Sequence, residues 1–361
     1  MKNIGILVYD ISLTGGAEKV AIKLSESLSS TFNVHMISIF DEKNFKQKSN
    51  RVNYYVISKK TKIITSHIIL LSNALKRYLK NNSIDILFAI TAGVNTVALL
   101  ASLGLKTKVV YCEHSNLENK SYGKKHELRQ FLGAKYSDKI VTLTERDKTN
   151  FINKYDIPKD KVWVIPNWFD LSIKEVKYNQ KSKKIISVGR LEQVKGYDML
   201  VDVAQKVFKK HPDWHWDIYG EGSYHEKIQG WIEDRNLKTF VTLKGNSNNL
   251  QDIYNNYSFF VMTSYYEGLP LSLLEAQSFK LPIVSFDSPT GPAEIVLNDE
   301  NGYIVPTYDI EEMSKKIIFL IESLDTRINF SKKSQNNLKK YSKDEILSKW
   351  YELIKLLCGG I

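Results

Sequence analysis

The chain has 361 residues, a length that suits two domains of ordinary size. Its hydrophobic fraction of 43% supports packed cores and excludes a disordered chain. Only two cysteines, Cys112 and Cys358, are present, which excludes a disulfide framework or a zinc spacing and fits a reducing, cytoplasmic compartment. The formal net charge of +11 lies wholly in residues 1–170, where 26 Lys and Arg face 15 Asp and Glu; residues 171–361 balance at 25 of each. Two readings of that excess are open: solubility in a Lys-rich chain, or a first half that faces something anionic, such as lipid head groups or nucleic acid.

The first residues, MKNIGILVYD, run directly into a strand and lack the long apolar core and cleavage site of a signal peptide. The run Ile4–Tyr9 predicts a buried strand, followed by a turn at Thr14-Gly15-Gly16 and a helix with Val20, Leu24 and Leu28 on one face. Further strands are predicted at Val34–Phe40, Ile84–Ile90, Lys108–Cys112 and Lys139–Leu143. Ser66–Lys80 predicts an amphipathic helix, with Ile68, Leu71, Leu75 and Leu79 near Lys76, Arg77 and Lys80. It either lies on an anionic membrane or turns its apolar stripe to the core. Ile86–Leu105 lacks charge but is broken by Gly93, Asn95 and Gly104, so it reads as strand, turn and buried helix and not as a membrane span. A polar linker is expected between about Asn167 and Lys183.

The pattern restarts at Lys184–Gly189, with a helix around Met199–Phe208 and strands at Trp216–Tyr219, Phe240–Leu243, Phe259–Thr263 and Ile283–Phe286. Two parallel-sheet α/β units follow from this repetition. Ser342–Leu357 reads as an amphipathic helix, with Ile346, Leu347, Trp350, Leu353, Ile354 and Leu357 on one face.

Parallel sheets bind ligands at the carboxyl ends of their strands, and several chemically apt residues stand there. Gly15 and Gly16 let the backbone approach a phosphate at a helix start, although a Gly-Gly pair is also an ordinary turn. Arg190 and Lys195 follow the first strand of the second unit, and two cations in such a loop suit a diphosphate. Glu267 stands just after a strand, ahead of Gly268 and Pro270. Glu275 follows eight residues later, on a helix beginning near Leu271. Carboxylates at these two places are acceptors for sugar hydroxyls. No Asp-x-Asp triplet occurs, so no metal is expected.

These pieces, in this order, resemble family 4 of the retaining glycosyltransferases. The matching positions are Gly15-Gly16-Ala17-Glu18, Ile165-Pro166-Asn167, Val188-Gly189-Arg190-Leu191 with Lys195-Gly196, Gly220-Glu221-Gly222, the pair Glu267 and Glu275, Asp287 to Val296, and Asn301-Gly302. The resemblance covers nearly the whole chain. It departs at Trp168, where the family commonly has a small residue after the Asn.

The resemblance implies a GT-B fold, two Rossmann-like domains facing across a cleft. Residues 1–170 would bind the acceptor, 171–341 the nucleotide-sugar, and 342–361 would form a helix returning to the first domain. It implies that Arg190 and Lys195 hold the donor diphosphate, that Glu267 binds the transferred sugar, and that Glu275 binds the ribose. Gly268, Leu269, Pro270 and Leu271 would cradle sugar and phosphate. Gly16, with Gly15, would approach the phosphate from the first domain, and Gly220 and Gly222 would join the donor loop. His114 matches a family histidine near the reactive carbon; Glu18 shares a motif without a settled role.

The donor implied is a UDP-sugar carrying a hexose or N-acetylhexosamine, with no cofactor beyond it. The Gly291-Pro292-Ala293-Glu294-Ile295 stretch resembles members that transfer N-acetylgalactosamine or related hexoses. The implied acceptor is a polyprenyl-diphosphate-linked glycan, met by a peripheral enzyme on the inner face of the membrane through its basic first domain. Rival readings are a soluble synthase or nucleotide-sugar epimerase on the same fold, and a non-catalytic partner subunit. A nucleic-acid binder would leave the glutamate pair unexplained.

Overall fold

The computed structural model describes residues 1–12, 16–41, 45, 49–58, 64–114, 116–118, 123–169, 176–247 and 253–359. The chain forms two compact units, Met1–Pro166 with Ile346–Ile361, and Asn167–Glu345.

The first unit contains β1 (Asn3–Asp10), α1 (Gly16–Leu28), β2 (Asn33–Phe40), β3 (Val52–Ser58), α2 (Ile64–Asn81), β4 (Ile86–Ile90), α3 (Ala92–Ser102), β5 (Lys108–Cys112), α4 (Lys124–Tyr136), β6 (Lys139–Thr142), α5 (Glu145–Tyr155) and β7 (Val162–Val164). Its seven strands run in the order β3-β2-β1-β4-β5-β6-β7, all neighbours parallel. Ile4, Ile6, Leu87 and Phe88 are fully buried, because helices cover both faces of a sheet wound in two directions.

The second unit contains β8 (Lys184–Val188), α6 (Tyr197–Lys210), β9 (His215–Tyr219), α7 (His225–Asp234), β10 (Val241–Leu243), β11 (Phe259–Met262), α8 (Leu271–Ser278), β12 (Ile283–Phe286), α9 (Pro292–Ile295), β13 (Gly302–Val305), α10 (Ile310–Glu322) and α11 (Leu324–Lys333). Its strand order is β10-β9-β8-β11-β12-β13, again all parallel. The order reverses between β1 and β4 in the first sheet and between β8 and β11 in the second. Those are the switch points where a crevice opens at the carboxyl ends of the strands.

The last helix, α12 (Lys343–Leu357), lays Trp350 edge-on to Phe88 of the first unit, ring centroids 5.0 Å apart. At the other boundary, Val176 is buried and the Tyr178 hydroxyl donates to the Ser258 carbonyl at 2.8 Å, so this end of the polar connection is laid on the second unit. Trp168 is buried as well.

Three strands escape the sequence reading: β3, β7 and β13. Each is an edge strand. β3, Val52–Ser58, mixes polar with apolar residues and is only partly covered, whereas β7 (Val-Trp-Val) and β13 (Gly-Tyr-Ile-Val) are apolar but three and four residues long, too short to announce a strand. The helix expected at Ser66–Lys80 is present as α2, but its stripe faces inward: Leu71, Leu75 and Leu79 are buried in the core and Ile68 packs against it. That stripe is therefore not a membrane contact. Ile86–Leu105 is strand β4 followed by helix α3, and among the described residues no helix is long and apolar enough to cross a membrane.

Candidate active site

The switch point of the second unit is built by two loops that lie against each other. The first leaves β8 at Gly189 and turns through a short 3-10 segment, Gln193–Lys195, before α6. The second leaves β11 at Thr263 and runs to α8. Tyr265 N–H donates to the Val194 carbonyl at 2.8 Å, and Thr263 Oγ1 donates to the Lys195 carbonyl at 3.3 Å. Gly196 permits this approach. It sits at φ +62°, and a Cβ there would meet the Thr263 carbonyl oxygen at 2.1 Å.

The consequence is a charge pair at the crevice. Lys195 Nζ lies 2.6 Å from Glu267 Oε1, with side-chain exposures of 21% and 9%. Ser264 Oγ donates to the same oxygen at 2.6 Å. The Glu267 backbone is pinned by the β12 loop: its N–H donates to the Pro289 carbonyl at 2.8 Å, and its carbonyl accepts from Thr290 N–H at 2.7 Å. A carboxylate fixed in this way presents an oriented acceptor, and a lysine with three donors can hold it while reaching a second anion.

Arg190, on the same loop as Lys195, is exposed. A cleft of about 120 Å³ opens next to it, lined by Gly189, Arg190, Tyr219, Gly220, Glu221, Asn246 and Ser247. Gly220 is in its wall and Gly222 lies two residues beyond. A Cβ on Gly220 would lie 1.9 Å from the Gly189 carbonyl oxygen, and one on Gly222 would lie 2.3 Å from that of Leu191. The space beside both glycines is thus filled by the protein's own backbone. Gly268 is treated likewise from outside, since a Cβ on Gly291 would meet the Gly268 carbonyl at 2.2 Å.

Gly268, Leu269, Pro270 and Leu271 lead into α8, whose first N–H groups lack helical partners and favour an anion. Glu275, one turn further on, accepts a hydrogen bond from Tyr254 Oη at 3.2 Å. Tyr254 is fully buried and stacks on Phe279 at 5.2 Å. Ser264 and Tyr254 were not singled out in the sequence. Ser264 carried a usable signal, a polar residue at a strand end beside the glutamate motif. Tyr254 carried none, for its contact with Glu275 spans 21 residues.

In the first unit, Gly16 opens α1 just beyond β1, and no described atom lies within 4 Å of where its Cβ would stand. Gly15 lies outside the described residues. Glu18 is in the first turn of α1, where burial, and then Asp10, push its carboxyl up. His114 follows β5. Burial pushes its imidazole down to about 4, against the pull of Glu113. Glu113 is buried and accepts from the Tyr111 hydroxyl and from Gln130 Nε2, the latter at 3.1 Å.

His114 is therefore neutral in this fold at physiological pH. An unfolded histidine has its pKa near 6.5, so the folded state takes up fewer protons than the unfolded state between about 6.5 and 4. The stability His114 contributes is complete above that window and is lost as the pH falls through it. An NMR titration is expected to show no protonation of His114 above about pH 5. A midpoint near the ordinary histidine value would refute this.

Residues 14–173 match the family model Glycosyltransferase Family 4, and residues 169–342 match Glycosyl transferases group 1. An uncharacterised glycosyltransferase of Haemophilus influenzae is 30% identical over 97% of this chain and 99% of its own. The chain is 24% identical, over 99% of its length and 100% of the relative, to the N-acetylgalactosamine-N,N'-diacetylbacillosaminyl-diphospho-undecaprenol 4-alpha-N-acetylgalactosaminyltransferase of Campylobacter jejuni. Its fold is that of TarM from S. aureus, whose structure holds UDP (TM-score 0.81, 20% identity, 98% of this chain and 99% of that one). With both halves matched by family models and both sheets wound as the GT-B fold requires, the chain belongs to the glycosyl transferases group 1, family 4, and is a glycosyltransferase.

Proposed function

We propose that this glycosyltransferase moves a hexose or N-acetylhexosamine, with retention, from a UDP-sugar to a lipid-linked glycan in surface polysaccharide or glycoconjugate assembly at the inner membrane face. The observation that carries the reading is the Lys195–Glu267 pair at the switch point between β8 and β11. A sugar hydroxyl takes up the oriented Glu267 carboxylate, while Lys195 and Arg190 face the diphosphate. Negative charge grows on the leaving diphosphate as the glycosidic bond breaks, and cations already in place lower that barrier. The acceptor attacks on the face the diphosphate leaves, and a donor phosphate oxygen takes its proton. The narrow cleft at Asn246 and Ser247 suits a single-ring base, and the TarM structure with UDP supports uridine. The Campylobacter relative, named for a diphospho-undecaprenol substrate, supports the lipid-linked acceptor.

The test is nucleotide release from a panel of UDP-, GDP- and ADP-sugars, with and without a polyprenyl-diphosphate glycan. Release from one UDP-sugar, undiminished by EDTA, is expected. A GDP- or ADP-sugar as sole donor would overturn the base assignment, and loss in EDTA would overturn metal independence. Transfer to a soluble sugar or sugar phosphate in preference to the lipid-linked glycan would favour a soluble synthase.

Tyr254 acts here through Glu275. Tyr254→Phe removes one hydrogen bond to a carboxylate and leaves the ring stack with Phe279. The expected result is a donor KM raised about tenfold with kcat nearly kept, in line with ~1.5 kcal/mol for a bond to a charged group. An unchanged KM with a lowered Tm would assign Tyr254 a merely structural role.

A further inference from the structure

Seven of the 26 cations in the first half of the chain lie on one helical layer, together with apolar side chains turned to water. Helices α2, α3 and α4 pack side by side, α2 against α3 and α3 against α4. The inner side of this layer is conventional: Leu71, Leu75, Leu79, Val94, Val97, Ala98 and Ala101 are buried in one cluster.

Its outer side is not. Twelve large apolar or aromatic residues are exposed among the described residues, and seven of them lie here: Ile69 and Leu70 on α2, Leu100 and Leu103 on or just past α3, and Leu128, Phe131 and Tyr136 on α4. They range from 39% to 70% exposed. Clustered exposure of this kind on a soluble domain marks a contact surface, whereas scattered single residues do not.

The charge on the same layer has one sign. The three helices carry Lys76, Arg77, Lys80, Lys124, Lys125, Arg129 and Lys135 against a single acid, Glu127. On α4, Lys124, Leu128, Phe131 and Lys135 follow helical spacing, so apolar side chains lie between cations on one face. Lys76 reaches across to the Leu103 carbonyl at 2.5 Å, which ties the α2 cations to the exposed end of α3.

We infer that the outer face of α2, α3 and α4 is a docking surface for an anionic lipid bilayer. Leu, Ile, Phe and Tyr enter the boundary between head groups and acyl chains, while the surrounding Lys and Arg meet lipid phosphates. A second copy of the chain is a poor occupant, because self-pairing would set seven cations against seven. A nucleic acid would take the cations but leave the leucines and Ile69 against phosphate and water. The inference deepens the reading of the acceptor as lipid-linked: docking on this face would hold the enzyme where such an acceptor resides. Lipid binding itself can be measured apart from transfer.

The test is co-sedimentation of the full chain with vesicles of phosphatidylcholine alone and of phosphatidylcholine mixed with phosphatidylglycerol. Sedimentation with the anionic vesicles, falling as salt rises, is expected. Lys124→Gln, Lys125→Gln and Arg129→Gln together should lower that partition about a hundredfold. These three side chains are exposed or partly exposed, so the variant keeps its core. Leu128→Glu with Phe131→Glu should lower it as well. Lys195→Ala should sediment like the unaltered chain while losing nucleotide release, so that failure of the donor reading and failure of docking are told apart. Absence of binding to anionic vesicles would overturn the inference, as would equal binding by the unaltered chain and both surface variants. A concentration-dependent dimer dispersed by the Leu128 and Phe131 changes would assign the face to a second copy instead.

Discussion

Lys195→Ala is expected to lower kcat/KM for the donor by roughly a hundred- to a thousandfold, the scale measured for removal of one preorganised charge-stabilising donor. The physical case rests on where the ammonium stands. It is held at 2.6 Å from Glu267 Oε1 in a partly buried crevice, so it is fixed before any donor arrives. The loss should fall chiefly on kcat if the charge acts as the diphosphate departs, and on KM if it only attracts the ground-state donor. Glu267→Gln keeps the shape but removes the charge that orients Lys195, and should also be impaired. The double variant should be less impaired than the product of the two single losses, because each partner works through the other. Steady-state nucleotide release on the four proteins decides this. Independent, multiplicative losses would mean that the pair does not act as one unit. Lys195→Ala leaves Ser264 still donating to Glu267, so a folded protein is expected.

Gly220→Ala is expected to have the largest effect on stability. The residue has φ +146°, and its Cβ would lie 1.9 Å from a backbone oxygen, that of Gly189, which cannot swing aside as a side chain could. Backbone strain and overpacking together suggest a loss of roughly 3–5 kcal/mol. In a unit of this size that lowers Tm by roughly 10 °C, visible in a thermal melt. Gly16→Ala is the contrast. With no described atom within 4 Å of its Cβ position, and with alanine the better helix former, the fold should be unharmed or slightly more stable. A Gly16→Ala protein with a lowered Tm would refute the open space at that helix start, and a Gly220→Ala protein with unchanged Tm would show that the Gly189 and Gly220 loops can part.

Much of the candidate site could be placed on its elements from the sequence. Arg190, Lys195, Glu267 and Glu275 stand immediately after predicted strands, or on the helix one such loop leads into, and parallel sheets place ligands at those ends. The restart of the pattern at Lys184 shows a second unit because a buried parallel strand is a continuous apolar run, a signal carried by a few adjacent residues. The edge strand β3 lacked that run, since it mixes polar with apolar residues, and β7 and β13 had it over only three and four residues.

Partnerships across the chain were another matter. Lys195 and Glu267 are 72 residues apart, and their separation of 2.6 Å exists because two loops close over Gly196. Composition and order cannot state a distance. The glycines of Gly220-Glu221-Gly222 entered only as members of a family motif, and their missing side chains leave room for the neighbouring loop's backbone. The basic excess of the first half was countable in the sequence; its meeting with seven exposed apolar residues on one layer was not. The helical period of α2 set Leu71, Leu75 and Leu79 on one face, and a period cannot say whether that face meets a core or a membrane. Packing against the sheet decided it, and so left Ile69 and Leu70 to the solvent. Residue type and spacing thus determined which chemistry the chain could hold and on which elements. Tertiary closure decided which groups meet, because contact energies depend on separation in space and not along the chain.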